Sequence, residues 1–254
     1  REGLMYNDIN IGPVTIHMYG LMIAIGFAVA YLLADYRAKK RNLSSDIIFG
    51  ILWCAVIGGM LGARILYYVV SIKDIIDDPS ILWNFSNGYV VYGGIIGGVL
   101  ASYIYCRIKK APFVKYFDLV IPEVALAQGF GRMGCFFAGC CYGRETDLPI
   151  GIVFKHSAYA PNGVKLRPTQ LISSAGDFLI AAVLFIYARK ERDNLKVGSL
   201  YMIMYSIGRF LIEFLRDDYR GSIGFMSTSQ IISVIIFAAG VIMWIMGKKI
   251  CKAE

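Results

Sequence analysis

Hydrophobic positions along this chain come in long blocks rather than in alternating or short periodic patches. Apolar runs cover residues 14–34, 46–70, 90–108, 116–137, 170–188, 197–215 and 230–248. Each is close to the roughly 20 residues that a helix needs to cross about 30 Å of hydrocarbon. The last run, from Ile231 to Met246, is nearly pure, whereas the first six are broken by Gly or polar positions. None keeps the period-two alternation of a membrane β-barrel. The pattern predicts an all-α polytopic membrane protein: seven transmembrane helices in a single integral membrane domain over 1–254. A small extracytoplasmic cap, with a hairpin in it, is expected at about 138–169, between spans four and five. No internal repeat of the inverted-transporter kind is visible. Arg1, Glu2 and Asp8 precede the first run without a basic leader, so no cleavable signal peptide is expected.

Composition agrees with the block pattern. Apolar residues make up 57% of the 254 positions and charged residues 17%, against about a quarter charged in soluble domains. One soluble core of this size could not hide that much apolar surface. The net charge of +8 first suggests a nucleic-acid partner, but its distribution gives it another meaning. Arg37, Lys39, Lys40 and Arg41 fall in one connection, Arg107, Lys109, Lys110 and Lys115 in another, Arg189, Lys190, Arg192 and Lys196 in a third. Lys248, Lys249 and Lys252 close the chain. The opposite side has Arg1, Lys73, Arg144, Lys155, Lys165, Arg167, Arg216 and Arg220, spread over longer loops. By the positive-inside rule the first set is cytoplasmic, giving an outside N-terminus and a cytoplasmic C-terminus. Nucleic acid is then not needed to explain the charge, although anionic lipid is favoured.

Arg64, Arg132 and Arg209 lie inside expected spans. A charge at such depth costs roughly 2.5–3.5 kcal/mol on insertion scales and is usually paired, turned to a cavity and functional. With the predicted topology, Arg132, Arg209 and Glu213 fall in the outer half of the membrane, as do Tyr19 and Tyr92. Tyr205, Arg209, Glu213 and Arg216 recur at i, i+4, i+8 and i+11, which puts them on one helical face. Such a stripe can be a self-neutralising pair, or a guanidinium held by Glu213 and aimed at a phosphate, the group its planar fork suits best. A second motif runs from Gly131 through Arg132, Gly134 and Gly139 to Gly143. Its glycines allow irregular backbone and close approach, tolerated at membrane depth only against protein or a wet cavity. Gly58/Gly62 and Gly93/Gly94/Gly97/Gly98 also fit simple close helix packing.

These residues resemble the prolipoprotein diacylglyceryl transferase family over about 14–220. The matching stretches are Met18-Tyr19-Gly20-Leu21-Met22 and Gly62-Ala63-Arg64 with Tyr67. Asp118, Pro122, Gln128 and Gly131-Arg132-x-Gly134 follow, with Gly143 closing the signature. Pro168-Thr169-Gln170-Leu171 and Tyr205-x-x-x-Arg209-Phe210-x-x-Glu213-x-x-Arg216 complete the set. The glycine–arginine signature and the stripe of span six are the specific ones. The resemblance implies transfer of the diacylglyceryl group of phosphatidylglycerol to the thiol of a lipobox cysteine. A thioether forms and glycerol phosphate leaves, in a bacterial cytoplasmic membrane. It implies catalytic roles for Arg132, Arg209, Tyr92, Tyr205 and Glu213, and substrate contacts from Tyr19, Gly93, Gly94, Gly131, Gly134, Gly143, Gln170 and Arg216. Phosphatidylglycerol, a prolipoprotein lipobox peptide and the bilayer are the expected partners, with no nucleic acid, no cofactor and no metal.

The chain departs from the family pattern at Tyr92, where His is usual, and at Cys135, Ala138 and Cys140, where Asn, Asn and Glu are usual. It departs also at Arg167, for His, and at Ile172-Ser173, for Tyr-Glu. A phenol, with a reference pKa near 10, is a weak base unless a cation lowers it. Either Tyr92 is activated by an arginine, or the acceptor thiol ionises in the positive field alone, or the acceptor differs. His17 and His156 are the only histidines, one at the mouth of span one and one in the outer loop. Glu123 suits a proton relay, a pairing with Arg64 or packing. Cys135, Cys140 and Cys141 can form a disulfide, relay a nucleophile or fill space as small hydrophobes. A metal is disfavoured because no second ligand pair of the usual spacing follows. A paralogous transferase with another acceptor, a transporter and a binding protein are the alternative functions. Ionisable groups clustered in the outer half, with Glu123 as the exception, disfavour a through-path.

Overall fold

The computed structural model describes residues 8–11, 13–84, 88–190, 192, 194–217, 222–223 and 225–250. Strands β1 (Asp8–Ile11) and β2 (Val14–His17) pair antiparallel ahead of helix α1 (Met18–Lys40). Then come α2 (Ser45–Val70), the short α3 (Ile72–Asp77), a 3-10 turn over Pro79–Trp83, α4 (Val91–Ile108) and α5 (Phe113–Ala138). A two-stranded hairpin, β3 (Ile152–Val153) with β4 (Lys165–Leu166), precedes α6 (Thr169–Tyr187) and α7 (Lys196–Glu213). Strands β5 (Ser222–Ile223) and β6 (Met226–Ser227) lead into α8 (Thr228–Ile250).

The seven apolar runs correspond to α1, α2, α4, α5, α6, α7 and α8. Five of them, α1, α2, α4, α6 and α8, are long and apolar enough to cross a membrane. Helices α5 and α7 match them in length, at 26 and 18 residues, but carry Lys115, Asp118, Glu123 and Arg132, and Lys196, Arg209 and Glu213, respectively. Three sequence boundaries are corrected. Residues 14–17 are strand rather than span, because their backbone groups pair with Asp8–Ile11 in the register Asp8↔His17 to Ile11↔Val14. Residues 35–40 continue α1 rather than forming a loop. Arg37, Lys39 and Lys40 occupy its last turn, where cations complement the helix dipole. Arg216 stands beyond the end of α7, in a bridge to Gly143, so the four-residue stripe keeps only three members on the helix. Arg1, Arg220, Cys251 and Lys252 lie outside the described residues.

The chain divides into two compact units, 34–116 and 1–33 with 117–254. In the first, α2 and α4 meet through facing glycines. A Cβ on Gly62 would fall 2.3 Å from the carbonyl oxygen of Gly93, and one on Gly97 would fall 2.3 Å from that of Gly58. Small residues at this spacing let helix backbones touch, the usual route to tight packing where water supplies no driving force. Gly93 and Gly94, expected to contact substrate, both take part in this contact, Gly94 facing the carbonyl of Gly59.

Arg64 belongs to the same unit and is not part of a catalytic cluster there. It is buried, and its guanidinium donates to the carbonyls of Gly88, Ile81 and Asn84 at 3.2, 3.1 and 2.7 Å and to the Tyr68 hydroxyl at 2.8 Å. The Tyr68 ring lies 4.7 Å away. The cation thus closes the polar end of the α3 segment over α2. Arg64→Ala is expected to lower stability by about 1.5–3 kcal/mol, the scale of lost charge-assisted hydrogen bonds. Arg64→Lys should recover little, because a point charge cannot serve several carbonyls at once. Thermal unfolding in detergent checks this, and an unchanged midpoint in Arg64→Ala would contradict it.

The second unit is built on α5, α6, α7 and α8. Ile121, Ala125, Ile180, Ala181, Leu184 and Val197 form its core. Polar ties fix the helices at set heights. The Asp118 carboxylate accepts from the Gly198 amide at 2.8 Å, and the Ser174 hydroxyl donates to the Gly129 carbonyl at 2.8 Å. At the other end, the Lys196 ammonium donates to the Trp244 carbonyl at 2.6 Å and lies 4.3 Å from its ring. A smaller cluster of Phe154, Ala160 and Leu166 closes the hairpin segment.

Candidate functional site

Helices α5, α6 and α7 enclose a cavity of about 240 Å³ in the second unit. Its polar wall consists of Arg132 from α5, Ser173 and Asp177 from α6, and Tyr205 and Arg209 from α7; Ile180, Ile212 and Leu215 supply much of the apolar remainder. The helical repeat explains the convergence. Ser173 and Asp177 are four apart on α6, as are Tyr205 and Arg209 on α7, so each pair presents one face. The exposed Ile172 and Leu211 also line the cavity, so its rim reaches the apolar outer surface.

The charges are arranged asymmetrically. Arg209 forms an ion pair with Glu213, Nη1 to Oε2 at 2.7 Å, and its Nη2 donates to the Ser229 hydroxyl on α8 at 2.7 Å. The ion-pair contact is poorly aligned for a hydrogen bond, so the attraction is Coulombic, between side chains about nine-tenths buried. The Nε of Arg132 lies 4.0 Å from Oδ2 of Asp177, too far for a hydrogen bond. That Asp177 oxygen has no hydrogen-bond partner among the described residues, and the residue is only 6% exposed. Two cations and a carboxylate with an unbonded oxygen therefore share one small space, an arrangement that awaits a polar ligand.

Other nominated residues take distinct places. Tyr205 lines the cavity and stacks on Tyr201, with ring centroids 5.6 Å apart. Gly131 and Gly134 sit in regular α5, not in irregular backbone. Gly134 admits the close approach of Tyr19, whose Cδ2 would lie 3.1 Å from an added Cβ, whereas Gly131 faces open space. The irregular backbone starts after the helix, at Gly139, where φ is +73°. Gly143 is wedged against the carbonyls of Arg167 and Leu215, each 2.8 Å from an added Cβ. Gln170 is buried and donates to the Cys140 carbonyl at 2.7 Å, so its visible task is to hold the signature segment. Arg216 is buried, and its guanidinium hydrogen-bonds the Cys141 thiol. Tyr92 lies in the first turn of α4, in the other unit, and is 38% exposed. His17 is tied to Asp8 in the hairpin, Nδ1 to Oδ1 at 2.6 Å.

Asp177 is the residue that sequence reasoning passed over. The available signal was modest but real: it is the lone acid of α6, in an otherwise apolar helix, four residues after Ser173. The three cysteines grouped in the sequence do converge, as free thiols. The Sγ atoms of Cys135, Cys140 and Cys141 all lie within 4.8 Å of one another. Hydrogen bonds from the Cys135 and Cys140 thiols, then the Arg216 guanidinium, hold the Cys141 thiol below its usual range.

The family model described as prolipoprotein diacylglyceryl transferase matches residues 8–246. A phosphatidylglycerol–prolipoprotein diacylglyceryl transferase of Clostridium tetani is 50% identical over 226 residues, covering 89% of this chain and 91% of its own. One from Clostridium perfringens, designated transferase 2, is 46% identical over 235 residues, covering 92% and 91%. Another from Finegoldia magna is 37% identical over 245 residues, covering 93% of each chain.

Proposed function

Because the chain belongs to the prolipoprotein diacylglyceryl transferase family, we propose that it moves the diacylglyceryl group of phosphatidylglycerol onto the lipobox cysteine of a prolipoprotein, in the cavity between α5, α6 and α7. The observation that carries this is the presence of Arg132 and Arg209 on the walls of one cavity. A volume of about 240 Å³ is below the roughly 300–1,000 Å³ of drug-sized sites. It suits a phosphoglycerol headgroup whose acyl chains lie outside, along exposed Ile172 and Leu211.

The chemistry follows from the wall. The acceptor thiolate attacks the glyceryl carbon that bears the phosphate ester; a C–S bond forms, the C–O bond breaks, and glycerol phosphate leaves with the electron pair. Negative charge grows on the departing phosphate, and fixed guanidinium groups in a dry site stabilise it at no cost in reorganisation. Glu213 and Ser229 hold Arg209 in place for this. Asp177 takes the proton of the incoming thiol: its free oxygen lies 4.0 Å from Arg132, so a thiol bound beside the phosphate comes within its reach. This assigns to α6 the base that a phenol at Tyr92 would serve less well. Gln170 and Gly143 hold the signature segment that follows Arg132, and Tyr19 packs on Gly134 of the same helix.

The same reading makes both units parts of one integral membrane domain in a bacterial cytoplasmic membrane. Seven helices span it, counting α5 and α7, whose mid-helix charges Glu123, Arg132, Arg209 and Glu213 are largely buried within the protein. The hairpin segment 138–169 then forms an extracytoplasmic cap, the N-terminus is outside and the C-terminus cytoplasmic, as the Lys and Arg distribution supports.

Purified protein in detergent, given phosphatidylglycerol labelled in its acyl chains and a lipobox peptide, should move label to the peptide and release glycerol phosphate. A peptide with Ser for the lipobox Cys should stay unlabelled. Label reaching only a non-protein acceptor, or no transfer at all, would overturn the assignment.

A further inference from the structure

The cluster of three thiols has no task in the transfer chemistry, and its geometry is specific. Helix α5 ends at Ala138; Gly139, at φ +73°, reverses the chain in the left-handed manner usual just past a helix end. The Cys140 amide then returns to the Cys135 carbonyl at 3.2 Å. This carries Cys140 back over the last turn, where Cys135 resides. Cys141 also holds a left-handed conformation, φ +60°, which costs a non-glycine residue about 1–3 kcal/mol and persists only when the surroundings enforce it. They do: the first turn of α6 grips the segment, Gln170 donating to the Cys140 carbonyl at 2.7 Å and the Thr169 hydroxyl to that of Cys141 at 2.8 Å. The result is three sulfur atoms within 4.8 Å of one another, on partly buried residues.

We propose that Cys135, Cys140 and Cys141 form a three-thiolate site for a thiophilic divalent cation of the zinc class. Zinc–sulfur bonds of about 2.3 Å place sulfur atoms about 3.8 Å apart around a tetrahedral ion. The trio needs only a small contraction to reach this. Sulfur-only donors select a soft or borderline cation over magnesium or calcium, which demand oxygen. A tetrahedral ion keeps its fourth position for water. Charge balances locally: three thiolates around a divalent ion leave one negative charge, and the Arg216 guanidinium already bonded to Cys141 offsets it. Binding releases thiol protons to solvent and changes no oxidation state. The ion would staple the helix end that carries Arg132 to the turn that leads into the cap.

The test is a titration of the full-length protein in detergent, reduced and then freed of reductant, with cobalt(II) and afterwards zinc(II). One cobalt per chain is expected, with sulfur-to-cobalt charge-transfer absorption that zinc abolishes by displacement. Cys135→Ser and Cys140→Ser should each remove the band, and Cys54→Ser should keep it. Wild-type protein whose thiols all react as free but which gives no such band would overturn the proposal, as would a band that survives in both serine variants. The readout is independent of lipid transfer, so it stands or falls apart from the transferase assignment.

Discussion

Arg132→Ala and Arg209→Ala should each lower the transfer rate by about a hundredfold to a thousandfold, with normal amounts of folded protein in the membrane. The size is that of deleting one fixed donor to a charge that develops in the transition state. It is expected here because both side chains line one cavity and because Arg209 is already oriented by Glu213 and Ser229. Folding should survive in Arg132→Ala, whose ion pair with Asp177 at the cavity wall is loose, at 4.0 Å. Arg209→Ala does leave Glu213 without its partner, so Arg209→Ala combined with Glu213→Gln keeps the test clean. Arg132→Lys and Arg209→Lys should recover only part of the rate, because an ammonium lacks the fork that grips two phosphate oxygens. Near-normal turnover in either alanine variant would remove the guanidinium pair from the mechanism.

Asp177→Asn should lower kcat by about a hundredfold to ten-thousandfold, the range for a positioned general base, while KM for phosphatidylglycerol changes little. The amide keeps the volume of the buried side chain and removes its charge beside Arg132 together with its capacity to take a proton. A merely structural Asp177 would give loss of folded protein or a rise in KM instead. The comparison variant is Tyr92→Phe. Retained activity there, with a large kcat loss in Asp177→Asn, assigns the base to α6. A large loss in Tyr92→Phe with Asp177→Asn still active would return it to the phenol.

How much of this was legible in the sequence depends on the distance over which the physics acts. Each long helix could be read from its apolar block, because a lipid-facing helix needs no amphipathic period and its length is set by bilayer thickness. The stripe of Tyr205, Arg209 and Glu213 was legible for the same local reason, four residues being about one turn. The strand at Val14–His17 was not, because its apolar residues join the block of α1 and its partner Asp8–Ile11 looks like a polar leader. Arg64 marks the opposite limit. A cation in a span invites a catalytic reading, but its acceptors are carbonyls at Ile81, Asn84 and Gly88, and a backbone acceptor leaves no mark in sequence. Asp177 and Arg132 are brought together by helix packing across 45 positions, which periodicity along one helix cannot report. The sulfur trio depends on a left-handed residue at Cys141, a conformation that Cys rarely adopts and that spacing cannot reveal.

The direct measurement is a structure of the protein in nanodiscs that contain phosphatidylglycerol, with the lipid headgroup resolved. The account predicts the phosphate inside the cavity of α5, α6 and α7, within hydrogen-bonding distance of both Arg132 and Arg209, with the acyl chains leaving past Ile172 and Leu211. A headgroup that occupies another site and leaves this cavity to water or side chains would contradict it.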